Sequence, residues 1–245
     1  MRHAVERHRI FEERTILSKS LDHIPAGEVW SREEIEMRKE SLLFEGLEWS
    51  VVDNLVIHDD VKLGALQAKD YVESYKETLL NLSDAGIKTV YYNFNPVFYR
   101  LSTHQQFFLS GKHFFRIFDP IAFAVFDIYI LKRDLATDCY NAYQKHAAKL
   151  FERRLSYLEK KQLEINIMEC IQNRNLRAPE KLLELIDSYS LLDNNTFKRN
   201  FSFFQHAVLP FAEAIGLNLK LKKDDSYPTP MGLPTIHEPN VFELI

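Results

Sequence analysis

At 245 residues and 46% hydrophobic content, the chain carries enough apolar material for one or two domains with a core of their own. Its 31 basic and 35 acidic residues give a formal charge of −4, and no basic stretch is long or unbroken, so neither nucleic acid nor an anionic membrane is an expected partner. The longest apolar run, from Pro120 to Leu131, is interrupted by Asp127 and too short to cross a bilayer.

In chain order, residues 1–14 are charged throughout and lack the apolar stretch of a secretory signal, which makes the cytoplasm the expected compartment. A strand is expected at 16–21. A unit then recurs three times: an amphipathic helix, a glycine, and a short apolar-rich strand. The copies are helix 31–45, Gly46 and strand 47–52; helix 69–85, Gly86 and strand 87–92; and helix 196–215, Gly216 and strand 217–222. Each glycine suits the left-handed residue that ends a helix. Ser31 with Glu34 reads as a capping box, followed by an apolar stripe of Ile35, Met37, Leu42 and Leu43. On the second helix Glu73, Lys76 and Glu77 read as the solvated face. Helices alternating with strands predict an α/β fold with parallel strands.

Between the second and third units lies a stretch of different character, about 99–195, too long for a simple connection. Residues 140–173 are charged with a helical pattern, and 179–188 read as a further helix with Pro179 in its first turn and Leu182, Leu183, Leu185 and Ile186 on its apolar side. Cys139 and Cys170 set neither metal-ligand spacing nor a disulfide framework, as expected in a reducing compartment. The crowd of Phe197, Phe201, Phe203, Phe204 and Phe211 on the last helix reads as core. A closed eight-stranded βα barrel takes roughly 250 residues. With about four strands and a large insertion, the expectation is a partial (β/α)8 TIM-type barrel, about its first half, as a single incomplete domain over 1–245 with the helical insertion inside it. Its open sheet edges would call for a covering partner.

Several segments in order resemble the mannonate dehydratases: Leu21-Asp-His-Ile-Pro-Ala-Gly-Glu-Val-Trp30, Leu47-Glu-Trp-Ser-Val-Val52, Ile57-His-Asp-Asp-Val-Lys62 and Ala85-Gly-Ile-Lys-Thr-Val-Tyr-Tyr-Asn-Phe-Asn-Pro-Val-Phe98, with 118–133 and 224–234 also fitting. The resemblance implies a metal-dependent lyase of hexuronate breakdown, which removes water from D-mannonate to give 2-keto-3-deoxy-D-gluconate. It implies Mn²⁺ (or Fe²⁺) as a Lewis acid for the enediolate that forms when the C2 proton leaves, and a general acid to expel the C3 hydroxyl. A small sugar acid is the implied partner, and a homo-oligomer is one arrangement it allows.

Carried over residue by residue, the resemblance is uneven. The family's His-Pro-Asp-Asp motif, whose His ligates metal, falls on Lys222, Lys223, Asp224 and Asp225, and an ammonium cannot replace a neutral imidazole as a ligand. The remaining ligands (a Cys, a His and an Asp on later strands) and the acid/base residues are expected beyond Ile245. Asn93 and Pro96 match the pattern after the second strand, but Asn95 takes a Met place, and Tyr99, Arg100 and Ser102 stand where Asp, Trp and Arg are expected, so a carboxylate-gripping Arg is missing. His23 follows Asp22, which takes the usual His place. Metal retention is therefore not expected.

The substrate-pocket candidates are His23, His58, Asn93, Asp224 and Asp225. His58 is expected at a strand's C-terminal end, where βα barrels carry their sites; its bland alternative is a turn residue bonded to Asp59 and Asp60. Asn93 either reaches a sugar hydroxyl or satisfies a turn before Pro96. Asp224 and Asp225 either bind a cation or pair locally with Lys222 and Lys223. Two functional readings follow: a mannonate dehydratase, or a non-catalytic truncated relic or subunit-interaction fragment without the metal site.

Overall fold

The structure, a computed structural model, describes residues 20–107, 114–222 and 230–236. In chain order the regular elements are α1 (Arg32–Phe44), β1 (Val51–Val52), α2 (Asp59–Leu63), α3 (Ala68–Asp84), β2 (Thr89–Tyr92), β3 (His104–Phe107), β4 (Phe114–Ile117), α4 (Pro120–Val125), α5 (Ala142–Glu152), α6 (Tyr157–Met168), α7 (Pro179–Ser190), α8 (Asn194–Ala214) and β5 (Asn218–Leu221). They fall into two compact units, one of residues 1–94 with 193–223, the other of 95–192 with 224–245. The expected insertion at about 99–195 lies almost wholly in the second.

The first unit is α/β. Its sheet runs β1-β2-β5, all parallel, with Val52 opposite Val90 and Tyr92 opposite Leu221. The expected strand at 16–21 falls almost entirely outside the described residues. The three helix-glycine-strand units share one turn. Leu47, Ile87 and Leu217 each donate a backbone N–H to the carbonyl five residues back (Leu42, Leu82 and Ala212), while Gly46, Gly86 and Gly216 sit at φ 76°, 87° and 71°. This is the Schellman arrangement, and its positive φ is why glycine stands there. Ile87 and Leu217 are then buried, tying each helix end to the strand that follows.

The stripe expected on α1 is narrower than its sequence suggests. Ile35 and Leu42, two turns apart, are buried, but Met37 and Leu43 point to solvent, because 100° per residue carries them off that face. Ser31 caps the helix through Glu34 N–H at 3.2 Å, while the Glu34 carboxylate turns to His23. Of the aromatic crowd on α8, Phe197 and Phe204 are core, as expected, Phe201 and Phe211 are half-buried, and Phe203 is exposed. Phe94, just past β2, meets Phe197 and Phe201 with ring centroids 5.2 and 5.0 Å away, and Phe204 meets Tyr75 at 5.2 Å and Tyr92 at 5.5 Å.

The second unit is mainly helical, but it also holds an antiparallel hairpin of β3 and β4, which the reading of a helical insertion did not anticipate. The stretch at 140–173 divides into α5 and α6, each opened by a complete capping box, Asn141 with Gln144 and Ser156 with Glu159. Asp119 caps α4 by accepting from Ile121 N–H at 2.8 Å, with Pro120 in the first turn. The helix continues as a π-helical turn, Phe126–Ile130. Within that turn Asp127 is fully buried. Arg133 donates to both its carboxylate oxygens at 2.8 and 2.7 Å, and the Tyr140 hydroxyl donates at 2.9 Å. Burial and the neighbouring Asp127 carboxylate push the Tyr140 phenol up. Both cysteines are free thiols, Cys139 exposed and Cys170 buried.

Candidate functional site at the strand ends

In parallel α/β sheets the backbone turns away at the carboxyl ends of the strands, and side chains from neighbouring strands converge there. In the first unit those ends carry Asp53 and Asn54 after β1, Asn93 after β2, and Lys222 after β5. Lys222 N–H donates to Tyr92 carbonyl at 2.7 Å, and Leu55 N–H donates to Tyr91 carbonyl at 2.8 Å. These bonds carry the pairing past the last strand residues and fix where the side chains stand. Asn54 takes a left-handed backbone, φ 63°, which Asn tolerates better than most residues.

Lys222 Nζ donates to Asp53 Oδ1 at 2.6 Å and lies 5.3 Å from the centroid of the Tyr91 ring. The Asp53 side chain is 4% exposed and that of Lys222 24%, so the carboxylate is inside and the ammonium reaches in from a partly open position. The Asn93 amide donates to Asn54 Oδ1. The sheet end therefore carries an ion pair and an amide pair side by side. It offers a carboxylate whose charge is met within the chain, with an aromatic face beneath the cation.

The other sequence candidates stand elsewhere. His58 lies six residues past the end of β1, in the connection that leaves the strand's carboxyl end, and is the residue that caps α2. Its Nδ1 accepts the Asp60 N–H at 3.1 Å, and its ring stacks on Tyr71 at 3.7 Å and 15°. Burial holds its pKa below the ordinary histidine value, against the pull of Asp60 and Asp59. A neutral ring with Nδ1 as acceptor is what the cap requires. Gly27, at φ 90°, closes over this stack; a methyl group there would lie 2.6 Å from the Tyr71 ring and 2.9 Å from His58. His23 is a surface residue, its Nε2 3.0 Å from Glu34 Oε2 and its side chain 61% exposed. Asp224 and Asp225 lie outside the described residues.

The sequence reading missed Asp53, Asn54 and Tyr91. The signal was present: two polar residues directly follow Val51-Val52, in the position that Asn93 holds after Tyr91-Tyr92. A divalent ion needs several deprotonated or neutral donors around one point. Among the described residues no group of three or more His, Cys, Asp or Glu side chains could hold one. At the strand ends Asp53 is paired with a cation, Lys222. The described residues do not fit a divalent metal.

The fold and this site define an α/β protein whose parallel strands gather polar side chains at their carboxyl ends. Residues 8–240 match the family model of D-mannonate dehydratase (UxuA), and the chain belongs to that family. It is 36% identical over 219 residues to the mannonate dehydratase of Marinomonas sp. (strain MWYL1), covering 89% of this chain and 56% of that protein. To the mannonate dehydratase of Chromohalobacter salexigens it is 33% identical over 218 residues, again 89% and 56%. The crystal structure of mannonate dehydratase from Streptococcus suis serotype 2 shares the fold at TM-score 0.54 and 23% identity, covering 87% of this chain and 46% of that one. The chain thus spans about half the length of the relatives it matches.

Proposed function

We propose that this chain stems from the dehydration of D-mannonate to 2-keto-3-deoxy-D-gluconate, a step of hexuronate breakdown, and that these 245 residues do not carry it out on their own. Family membership supports the substrate class and the lyase chemistry. The observation that carries the second half is the Lys222–Asp53 pair. The reaction builds negative charge next to a carboxylate, and stabilising it takes a cation free to meet that charge. Here the cation at the strand ends is an ammonium already engaged by a buried carboxylate at 2.6 Å. The three parallel strands, with α2 and α3 between β1 and β2 and with α8 leading into β5, are read as part of a (β/α)8 barrel; the order β1-β2-β5 and the shared fold of the Streptococcus suis enzyme support that reading.

The test is direct. Purified chain is incubated with D-mannonate and Mn²⁺, and the keto product is followed. The expected result is no manganese-dependent product above the no-protein control; turnover dependent on added Mn²⁺ overturns the proposal.

A further inference from the structure

At the end of a parallel sheet, a carboxylate that is 4% exposed has lost most of its water, and such a group needs a cation or a set of donors at close range. Lys222 supplies one from within the chain. Its position is set by the backbone bond to Tyr92, its Nζ by Asp53 Oδ1 on one side and by the Tyr91 ring on another. We infer that Lys222 is a built-in counterion: it occupies the cation position at the strand ends and closes it to divalent metal. Among the described residues the Asp53 charge is met by the polypeptide itself. The inference rests on the family reading for the place of the metal as well as for the choice of Mn²⁺ as the probe.

Two measurements test it, neither of them an activity assay. The first is a double-mutant cycle by denaturant unfolding, followed by circular dichroism. Lys222→Met leaves the Asp53 carboxylate buried beside an apolar chain and is expected to lower the folding constant at least roughly tenfold. Adding Asp53→Asn removes the carboxylate's charge as well and is expected to recover most of that loss. The second is a Mn²⁺ titration of the full chain read by electron paramagnetic resonance. Lys222→His exchanges the ammonium for a neutral nitrogen donor next to the carboxylate. It is expected to bind Mn²⁺ at least roughly tenfold more tightly than the parent, and Asp53→Asn in the same background is expected to cancel the gain.

Losses that simply add in the cycle overturn the inference, as does a parent chain that binds Mn²⁺ as tightly as Lys222→His. If Lys222→His does not fold, the cycle decides alone. The functional proposal is judged separately: turnover by the parent chain sinks that proposal, whereas a cycle without coupling sinks only the role given to Lys222.

Discussion

His58 shows what a single ring can be committed to. Its Nδ1 lone pair closes the first turn of α2, and its face lies on Tyr71 under Gly27. Burial lowers its pKa from the ordinary 6.5, so the unfolded chain takes up the proton more readily than the folded one. Stability from this group is therefore full above pH 6.5, falls as pH drops through that value, and levels off once the folded ring is protonated too. The melting temperature should accordingly fall between about pH 7 and about pH 5, and His58→Asn, which keeps a cap acceptor but does not titrate, should flatten that part of the profile relative to the parent. An unchanged slope in His58→Asn would remove the cap as its cause. At this scale the sequence was partly legible. Asn93 and Lys222 could be placed because each directly follows a strand whose alternation is visible. Asp53 could have been placed in the same way, since it directly follows Val51-Val52, but no local pattern says that it meets Lys222, 169 residues further on. The positions of His23 and His58 depend on partners, Glu34 and Tyr71, that no spacing rule connects to them.

Among the elements, helix ends were easier to read than strand ends. A glycine at a left-handed position is a local requirement, and all three helices ending in Gly46, Gly86 and Gly216 were readable. Strands are defined by neighbours, so each of the three is shorter than its alternating segment. The π-helical turn at Phe126–Ile130 left no trace in the sequence beyond Asp127 inside an apolar run. The structure gives that aspartate its reason: a two-pronged guanidinium and a phenol meet a carboxylate that water does not reach. Arg133→Met should cost about 3–5 kcal/mol, because it leaves a buried charge without its cation. Asp127→Leu added to it should restore much of the loss. Chemical unfolding of the second unit, followed by circular dichroism, measures both; a cost below about 1 kcal/mol for the single change would show that the pair holds little together.

At the scale of the whole molecule, the sheet of the first unit has two outer strands. Among the described residues β1 and β5 each pair on one side only, with β2. An outer strand offers unpaired backbone groups to another chain, and charged side chains on it are a common defence. β5 carries Lys220, exposed, and Lys222 directly follows it. Lys220→Ile should therefore raise the apparent mass of the protein at a given concentration in light scattering, relative to the parent; equal masses would mean that this edge is guarded some other way. The α/β class was legible from the alternation of helix and strand, because that pattern is written locally. The stretch that makes up most of the second unit was legible as well, as the expected insertion at about 99–195; what no local pattern gives is that it forms a compact unit of its own.

Both tryptophans, Trp30 and Trp49, are buried in the first unit, and the second contains none. Indole emission from this protein is consequently a one-sided optical reporter. Its red shift on unfolding tracks the sheet and its helices, and stays blind to the hairpin and the helices of the other half, whose melting has to be followed through tyrosine.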